Sequence, residues 1–598
     1  MSRQPYHRLW RFLGSRDITR IILLLAMVLP LPVLFVGWES DDLVHKLTLQ
    51  YPERARELGL PNTPTPAGLF HFLDGGQGMA WRMVERGALP WWTHPQVKSR
   101  FLRPITSLTH WLDYQLWPES PVLMHAHSLL WYVLLAAVTL RFFRSFSGGA
   151  AWGVLAAMLY AMDDTHATPI GWIANRSAIL TTLFGVLAID AHQRGFPATA
   201  HPDQPVNWPA ACRTGVWLLI ALLCGEGAAA TCAFLFAFSL VMDRRPLGKR
   251  IATLLPVAAV VAGWLAYWKV NGFGAYAVGM YTDPFVQPAR FLWELISRLP
   301  ILFLSALAVP PADTVLILTP QSTTTFSLVA AALVLLFVIW AWKWLVRDRN
   351  SRFLALAALI SALPASTVTP SDRNLMLVTV GIMGLIARTI FLSTTEIAGA
   401  TTPSRHRWVA AALLAFHLVF AGIAFPVRAT MPLGPKRITR QFDIPVDLVP
   451  HDPSKTVVIL NNASAFNVAH LPMRLALMNE PIPRLRILSP SLAGVHIERL
   501  DDHTLRVEPF GPLLYPPIDR VFRGEDFALQ AGEVIKLEGM TVYVDEVDGF
   551  APTSYRVQFA AALDDPALVW IKWEDGTFVP AAAPGPAERI TLPPCIPK

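Results

Sequence analysis

Residues 21–46 read IILLLAMVLPLPVLFVGWESDDLVHK. The part that ends at Trp38 holds no charged side chain, and a helix that crosses a bilayer needs about 20 mostly apolar residues. The segment Ile18–Trp38 therefore predicts a transmembrane span. Two adjacent carboxylates, Asp41 and Asp42, follow it directly, where the chain leaves the membrane. An apolar span that ends in paired acids predicts a membrane protein with chemistry at the membrane edge.

The composition extends this interpretation to the whole chain of 598 residues. Hydrophobic residues make up 53% of it and charged residues only 16%, whereas soluble domains carry about 25% charged residues. An ordinary soluble enzyme is therefore excluded. The net charge of +7 is compatible with nucleic-acid binding, but Arg and Lys concentrate in alternate short loops. That pattern is an orientation signal, and no nucleic-acid partner is expected.

Apolar segments recur through the first 425 residues and predict eleven spans. They are Ile18–Trp38, Pro121–Leu140, Ala150–Met162, Gly171–Ala191, Gly215–Cys224, Gly227–Met242, Ile251–Lys269, Ser327–Trp344, Phe353–Thr367, Leu375–Phe391 and Trp408–Phe425. The positive loops place residues 1–17 in the cytoplasm and the C-terminal tail outside the plasma (inner) membrane. Phe291–Leu307 carries Glu294 and Arg298, so an interfacial or re-entrant helix is expected there. No cleavage site follows the first span, which is expected to be retained.

Outside the membrane, this topology leaves a loop at 39–120, within a transmembrane domain at 18–425, and a tail at 426–598. The tail predicts a small β-rich domain with strands at Thr456–Leu460, Leu485–Leu488, Gly494–Leu500, Thr504–Val507, Val534–Leu537 and Met540–Val544. Asp501–Asp502 and Glu538–Gly539 fall where hairpin turns are expected. An irregular lid is the alternative. The predicted fold class is thus an all-α polytopic membrane protein with a C-terminal β-rich soluble domain.

Ionisable groups at a membrane edge are costly to keep, which makes them functional candidates. In the pair Asp41 and Asp42, each carboxylate raises the pKa of the other, and one becomes suited to proton abstraction. Asp163, Asp164 and His166 form a second group on the same predicted side. They can bind a cation, orient an acceptor or share a proton. A solvated loop start and a polar turn are the structural alternatives.

Arginines on this side can pair with a lipid-linked phosphate through their planar guanidinium groups. Arg176, beside Asn175, lies at the end of the fourth span, and Arg373 lies at the end of the tenth. Arg103 is assigned to the same role, binding of the donor phosphate. Snorkelling to lipid headgroups is the alternative for each.

The segment that begins at Arg103 predicts an amphipathic helix at the membrane interface. Its apolar stripe consists of Ile105, Leu108, Leu112 and Leu116. His110 and Tyr114 lie on the other face with Asp113 beside it, so these three, together with Asn175 at the end of the fourth span, are candidates to line a cleft. All these clusters fall on one predicted side, whereas scattered structural polar groups would fall on both.

Three stretches resemble the GT-C-type integral membrane glycosyltransferases, in particular their membrane O-mannosyltransferase branch and related bacterial proteins. They are RPITSLTHWLDYQLW with HAHSLL at 103–130, YAMDDTHATPIGWIANRSAILTTLFG at 160–185 and SDRNLMLVTVG at 371–381. Thr168, Asn374 and Met376 depart from that pattern. A β-rich tail also stands where that branch has tetratricopeptide repeats.

The resemblance implies a multi-span fold with a cleft on the outer face, where a sugar moves from a polyprenyl-phosphate carrier to an outer-face acceptor with inversion. It implies Asp41 as general base with Asp42 beside it, Asp163, Asp164 and His166 as a second outer-loop site, and Arg176 and Arg373 at the carrier phosphate. No cofactor is required, although a divalent cation is possible and no metal ligands are assigned. A catalytically inactive binding or assembly protein with this fold, and a transporter, are the alternatives.

Overall fold

The computed structural model describes residues 4–15, 17–60, 66–199, 201–395, 404–431, 440–490, 493–511, 513–514 and 517–596. The α-helices are Gln4–Leu13, Ile18–Val28, Asp41–Gln50, Pro52–Glu57, Gln77–Arg86, Pro104–Leu116, Pro121–Phe146, Ala151–Ala161, Ala167–Gly171, Arg176–Gly195, Trp208–Cys224, Thr231–Ala237, Leu247–Val270, Pro288–Leu307, Pro320–Arg347, Arg349–Ala365, Met376–Thr395, Ser404–Leu414, Ala421–Ala429, Ala465–Val468 and His470–Leu477. The strands are β1 His71–Asp74, β2 Lys98–Arg100, β3 Gly274–Tyr276, β4 Thr456–Asn462, β5 Arg484–Pro490, β6 Val495–Arg499, β7 Thr504–Pro509, β8 Val534–Leu537, β9 Met540–Asp548, β10 Ala551–Phe559, β11 Leu568–Glu574, β12 Thr577–Pro580 and β13 Arg589–Leu592.

Seven helical segments in the described part of the chain are long and apolar enough to cross a membrane. They are Ile18–Phe35, Pro121–Phe146, Ile173–Gly195, Leu247–Val270, Pro320–Arg347, Met376–Thr395 and His406–Ala429. The other four predicted spans fall on shorter helical segments, Ala151–Ala161, Trp208–Cys224, Glu226–Met242 and Arg349–Ala365. The multi-pass helical fold is confirmed, and the count of eleven stays a prediction. Phe291–Leu307 lies in the helix Pro288–Leu307, which is not among the seven.

The helices differ in how much of their surface is covered by protein. The segments Ile173–Gly195 and Met376–Thr395 are 78% and 83% buried, so they form the centre of the bundle. Leu247–Val270 and Pro320–Arg347 are only 11% and 17% buried although they are strongly apolar. Exposed apolar helices of this length are expected to face lipid. Local sequence fixes the helix ends; for example, the Ser120 hydroxyl accepts a hydrogen bond from the Leu123 amide, 3.4 Å away, and Pro121 takes the first helical position.

The tail contains two sheets, which confirms the predicted β-rich region. The first has the order β12-β11-β4-β5, in which β11, β4 and β5 are parallel and the helices Ala465–Val468 and His470–Leu477 connect β4 to β5. The second is antiparallel, in the order β13-β6-β7-β10-β9-β8. The predicted turns at Asp501–Asp502 and Glu538–Gly539 join the antiparallel pairs β6–β7 and β8–β9.

Part of the loop at 39–120 packs against the tail. Buried residues of this loop, such as Trp92, share one hydrophobic cluster with buried residues of both tail sheets, such as Val458 and Tyr555. Polar contacts join the same parts: Arg486 of β5 donates to the Glu85 carboxylate at 3.0 Å.

This shared core predicts that the tail does not fold alone. A fragment of residues 440–598 would expose the apolar side chains that the loop covers. Each large side chain that becomes exposed lowers the stability of the fragment by about 1.5–3 kcal/mol. We expect it to aggregate or to melt without a cooperative transition, as followed by size-exclusion chromatography and circular dichroism. A fragment in which residues 39–102 are linked to the tail is the control. It should aggregate less and melt more cooperatively than the isolated tail. A monomeric isolated tail with cooperative melting would contradict the prediction.

Candidate active site

The two acids that follow the first span have different surroundings. Asp42 is 1% exposed, and its carboxylate accepts hydrogen bonds from the backbone amides of Ala174 at 2.6 Å and Glu39 at 2.9 Å. Burial raises the pKa of Asp42 well above its ordinary value. Because its oxygens are occupied by backbone donors, Asp42 ties the first loop to the segment at 172–175.

Asp41 is half-buried, and within the described residues its carboxylate has one side-chain hydrogen bond, from the Ser40 hydroxyl at 3.5 Å. Burial raises the pKa of Asp41, and the nearby guanidinium groups of Arg373 and Arg103 lower it, with a net rise. Ser40 has a φ of 44°, in the left-handed region that costs energy for a residue other than glycine. Such strain clusters at functional sites. Asp41 is therefore the acid with a carboxylate available for chemistry.

Arg373 comes from a loop between the helices Arg349–Ala365 and Met376–Thr395. Its guanidinium carbon lies 5.4 Å from the centroid of the Trp172 ring, and it makes no ion pair with any residue that the structure describes. Trp172 is 6% exposed and precedes Ala174, the partner of Asp42. The cationic group is thus held beside the acids by an aromatic ring and stays available to an anion.

Arg103 reaches the same place from the start of the helix Pro104–Leu116. Its Nε donates to Glu226 at 3.1 Å, and Nη1 lies 3.4 Å from the Ser177 hydroxyl. The rings of Phe70 and Phe101 flank the guanidinium, with centroids at 4.9 and 4.7 Å. Glu226 also accepts from the Leu102 amide at 2.7 Å, which fixes the start of this helix. Arg103 is therefore positioned firmly, with one carboxylate partner.

A cavity of about 360 Å³ begins behind Arg103, between the membrane helices and the tail. Phe101 and Glu226, which both contact Arg103, line one end of it, while Asp41 itself is not among the lining residues. Trp264 and Leu265 make an apolar wall on the side of the membrane helix Leu247–Val270. Charged groups are added by Lys269, Asp283 and Arg290, and the tail contributes Gly524, Asp526 and Phe527. The lining of the cavity thus combines apolar and charged side chains.

The second acidic group is a buried hydrogen-bonded cluster. Asp163 accepts from the amide and the hydroxyl of Thr165, at 3.1 and 2.9 Å, and burial raises its pKa to about 8. His166 is 0% exposed, lies 3.0 Å from the Thr379 hydroxyl and has a pKa lowered to about 3 by burial. At neutral pH a protonated acid and a neutral imidazole result. Asp164 instead pairs with Arg428 at 2.6 Å.

Arg176 is enclosed by protein and does not face an open site, and its role at a carrier phosphate stays a prediction. It is 0% exposed, and its Nη2 donates to Asp113 at 2.5 Å and to the Met124 carbonyl at 2.9 Å. Its Nε donates to the Ser128 hydroxyl at 2.9 Å. The prediction assigned it to donor binding because a lone Arg at a helix end resembles a phosphate ligand. In the folded chain Asp113, 63 residues away in sequence, uses this charge instead.

The helix Pro104–Leu116 is oriented with its polar face inward. Leu108, Leu112 and Leu116 are 53%, 41% and 58% exposed, whereas His110 and Asp113 are each 0% exposed. Tyr114 is 4% exposed and donates to the Asp42 carbonyl at 3.1 Å. These polar residues therefore pack inside the protein and do not line an open cleft as predicted. Asn175, the residue before the helix Arg176–Gly195, is half-buried.

Sequence reasoning missed Glu226 and Arg428. Glu226 is an acid in a short loop between two apolar segments, and that position was a usable signal. Arg428 lies at the predicted outer end of the last span, where positive charge is disfavoured, so it called for an acidic partner. In the described residues no group of three or more His, Cys, Asp or Glu is arranged to hold a metal ion.

Comparisons with known proteins give weak similarities. The protein O-mannosyl-transferase TMTC3 of Homo sapiens is 24% identical over 138 residues, which is 23% of this chain and 14% of that protein's length. The same protein from Mus musculus gives the same values. This similarity confirms the sequence resemblance to membrane O-mannosyltransferases over a small part of each chain. No protein-family model matches the sequence.

Two similar solved structures contain a bound undecaprenyl phosphate or dolichol-phosphate. ArnT from Cupriavidus metallidurans, bound to undecaprenyl phosphate, is 12% identical with a TM-score of 0.36, over 79% of this chain and 90% of that one. AglB from Archaeoglobus fulgidus, an archaeal oligosaccharyltransferase in complex with an inhibitory peptide and a dolichol-phosphate, is 12% identical with a TM-score of 0.39, over 79% and 65%.

Proposed function

We propose that this integral membrane protein is an inverting glycosyltransferase that moves a sugar from a polyprenyl-phosphate carrier to a hydroxyl of an acceptor outside the plasma (inner) membrane. The observation that supports it best is the group formed by Asp41, Arg373 and Arg103. A carboxylate with a raised pKa and an available oxygen lies beside two cationic groups at the edge of the membrane. A base next to an anion-binding pair is the minimum that this reaction requires.

In the proposed reaction, Asp41 accepts the proton of the acceptor hydroxyl while that oxygen attacks the anomeric carbon. The bond between this carbon and the carrier's phosphate oxygen breaks, and both of its electrons leave with the phosphate. Arg103 and Arg373 stabilise the negative charge that develops there through charge-assisted hydrogen bonds. Attack from the face opposite the leaving phosphate gives inversion.

The cavity suits the donor in shape and polarity. Its apolar wall at Trp264 and Leu265 belongs to a helix that is largely exposed to the surroundings of the bundle, so a lipid chain has a path along it. The charged side chains of its lining suit a sugar and a phosphate. We assign the donor headgroup to this cavity, with the phosphate beside Arg103.

Donor binding tests this assignment through two substitutions. In Arg373→Met and in Arg103→Met we expect the KM for a radiolabelled polyprenyl-phosphate sugar to rise about tenfold, equivalent to about 1.4 kcal/mol for one charge-assisted contact. Arg388→Met is the matched control, because Arg388 is a comparably buried arginine that pairs with Asp348 away from the site. Unchanged KM values in both variants, or no transfer by the native protein from any such donor, would contradict the proposal.

A further inference from the structure

Arg428 bridges two acids that come from different parts of the bundle. It lies in the helix Ala421–Ala429, at the end of the last apolar segment before the tail. Its Nη1 donates to Asp164 at 2.6 Å, and its Nη2 donates to Asp372. The guanidinium is therefore shared between the loop after Ala151–Ala161 and the loop that carries Arg373.

Asp372 is the centre of a dense set of contacts. It is 0% exposed and accepts from the Ser305 hydroxyl at 2.5 Å and from the Ala312 amide at 2.8 Å, in addition to Arg428. Its own amide donates to Asp313 at 3.0 Å. Contacts from three directions thus hold the backbone immediately before Arg373.

The next residue, Arg373, lies on the Trp172 ring, and the segment at 172–175 is bound to Asp42 through Ala174. A continuous series of contacts therefore runs from Arg428 through Asp372 and Arg373 to the first-loop acids. Each step is a direct contact between described residues, or a step between neighbours in the chain.

We propose that Arg428 is a positioning residue that, through Asp372, fixes Arg373 beside Asp41 and so couples the last membrane helix to the donor phosphate site. This inference rests on the proposed function. Arg428 acts at a distance, because it contacts Asp164 and Asp372 and neither of the groups assigned to the reaction.

The chemistry of the bridge explains why an arginine is present. One planar guanidinium satisfies two carboxylates at once, whereas a lysine ammonium is a single point charge. Without it, Asp372 would remain an unpaired charge in a fully buried position, which strongly disfavours the native loop geometry. The loop is expected to shift until Asp372 reaches water, and Arg373 would move with it.

A double-mutant cycle tests the coupling in the full-length protein. We expect Arg428→Met to lower kcat/KM for the donor about tenfold, and to have little further effect when Arg373→Met is already present, because both variants lose the same interaction. Losses that multiply in the double variant would show that Arg428 acts independently of Arg373 and would overturn the inference. The control is Arg388→Met, which also breaks a carboxylate pair and should leave the donor kcat/KM unchanged.

The pH profile gives a readout that a general loss of stability would not move. Arg373 and Arg103 lower the pKa of Asp41, while burial raises it, and the Ser40 hydroxyl also lowers it. If Arg373 moves away, that pKa rises, so the acidic limb of the kcat/KM profile should shift to higher pH in Arg428→Met. The same shift is expected in Arg373→Met, and an unshifted limb in Arg428→Met would count against the inference.

Direct binding separates this inference from the proposed function. Farnesyl phosphate, titrated into the detergent-solubilised protein by calorimetry, needs no transfer, and we expect its Kd to rise about tenfold in Arg428→Met as in Arg373→Met. If the native protein binds farnesyl phosphate but transfers no sugar, only the proposed function is contradicted. If the Kd is unchanged in Arg428→Met, only the positioning role of Arg428 is contradicted. If Arg428→Met does not fold, Arg428→Lys replaces it, with a smaller increase in Kd expected, and an unchanged Kd there would also overturn the inference.

Discussion

The Asp41→Asn protein is expected to lose sugar transfer by about 10³-fold in kcat while it keeps its fold and its affinity for the carrier phosphate. General-base catalysis contributes about 10²- to 10⁴-fold, and Asn has nearly the same shape as Asp without the ability to accept the proton. The measurement is single-turnover transfer from a radiolabelled polyprenyl-phosphate sugar in proteoliposomes. Farnesyl phosphate binding to the same preparation reports the integrity of the site.

Asp42→Asn is the matched control, because the two acids are adjacent and differ in their partners and in their burial. The Asp42 carboxylate accepts from the Ala174 and Glu39 amides, so Asn at this position loses one acceptor and should mainly lower the melting temperature. A tenfold or smaller effect of Asp41→Asn on kcat, together with a 10³-fold effect of Asp42→Asn, would reverse the two roles. Undiminished sugar transfer in both variants would show that neither Asp41 nor Asp42 is the general base.

The pH dependence follows from the raised pKa of Asp41. The base must be ionised to act, so kcat/KM should fall as the pH falls through a pKa above the ordinary value of an aspartate. Because the pKa is raised in the folded protein, protonation of Asp41 favours the folded state and does not by itself unfold the protein. Asp41→Glu should keep an acidic limb, whereas Asp41→Asn should lose it.

The parts of the structure that depend on local sequence could be predicted. Hydropathy over some twenty residues identified the seven helical segments that are long and apolar enough to cross a membrane, and the same local pattern located Asp41 and Asp42 at the end of the first one. Strands β4 to β9 were found because each has a compact apolar or alternating pattern. Strand β10, with the sequence APTSYRVQF, was missed because proline and polar residues interrupt its pattern.

What could not be predicted depends on contacts between distant segments. The inward direction of His110 and Asp113 is set by the first loop and by Arg176, and the helix sequence alone leaves open which face meets lipid. The Leu stripe was read as an interface feature, but a helix within a bundle can bury its polar face if that face finds partners. Likewise, no sequence pattern in the loop at 39–120 predicts that it shares a hydrophobic core with the tail.

The buried pair formed by Arg176 and Asp113 should control stability more than any other single pair near the site. Both side chains are 0% exposed, so Asp113→Ala would leave a buried guanidinium without its carboxylate. Removing one partner of such a pair costs about 3–5 kcal/mol. We expect a large drop in the melting temperature of the detergent-solubilised protein. Asp545→Ala, which breaks the exposed pair with Arg556 on the tail, is the control and should cost about 0–1 kcal/mol.

The double variant Asp113→Leu with Arg176→Met decides between the two roles considered for Arg176. If the arginine serves only to neutralise Asp113, replacing both by apolar residues of similar size should recover most of the lost stability and leave the donor KM within about threefold of the native value. If Arg176 instead binds the carrier phosphate, the double variant will be folded but will show the same rise in donor KM as Arg373→Met. Because Arg176 is enclosed by Asp113, Ser128 and the Met124 carbonyl, we expect the first result.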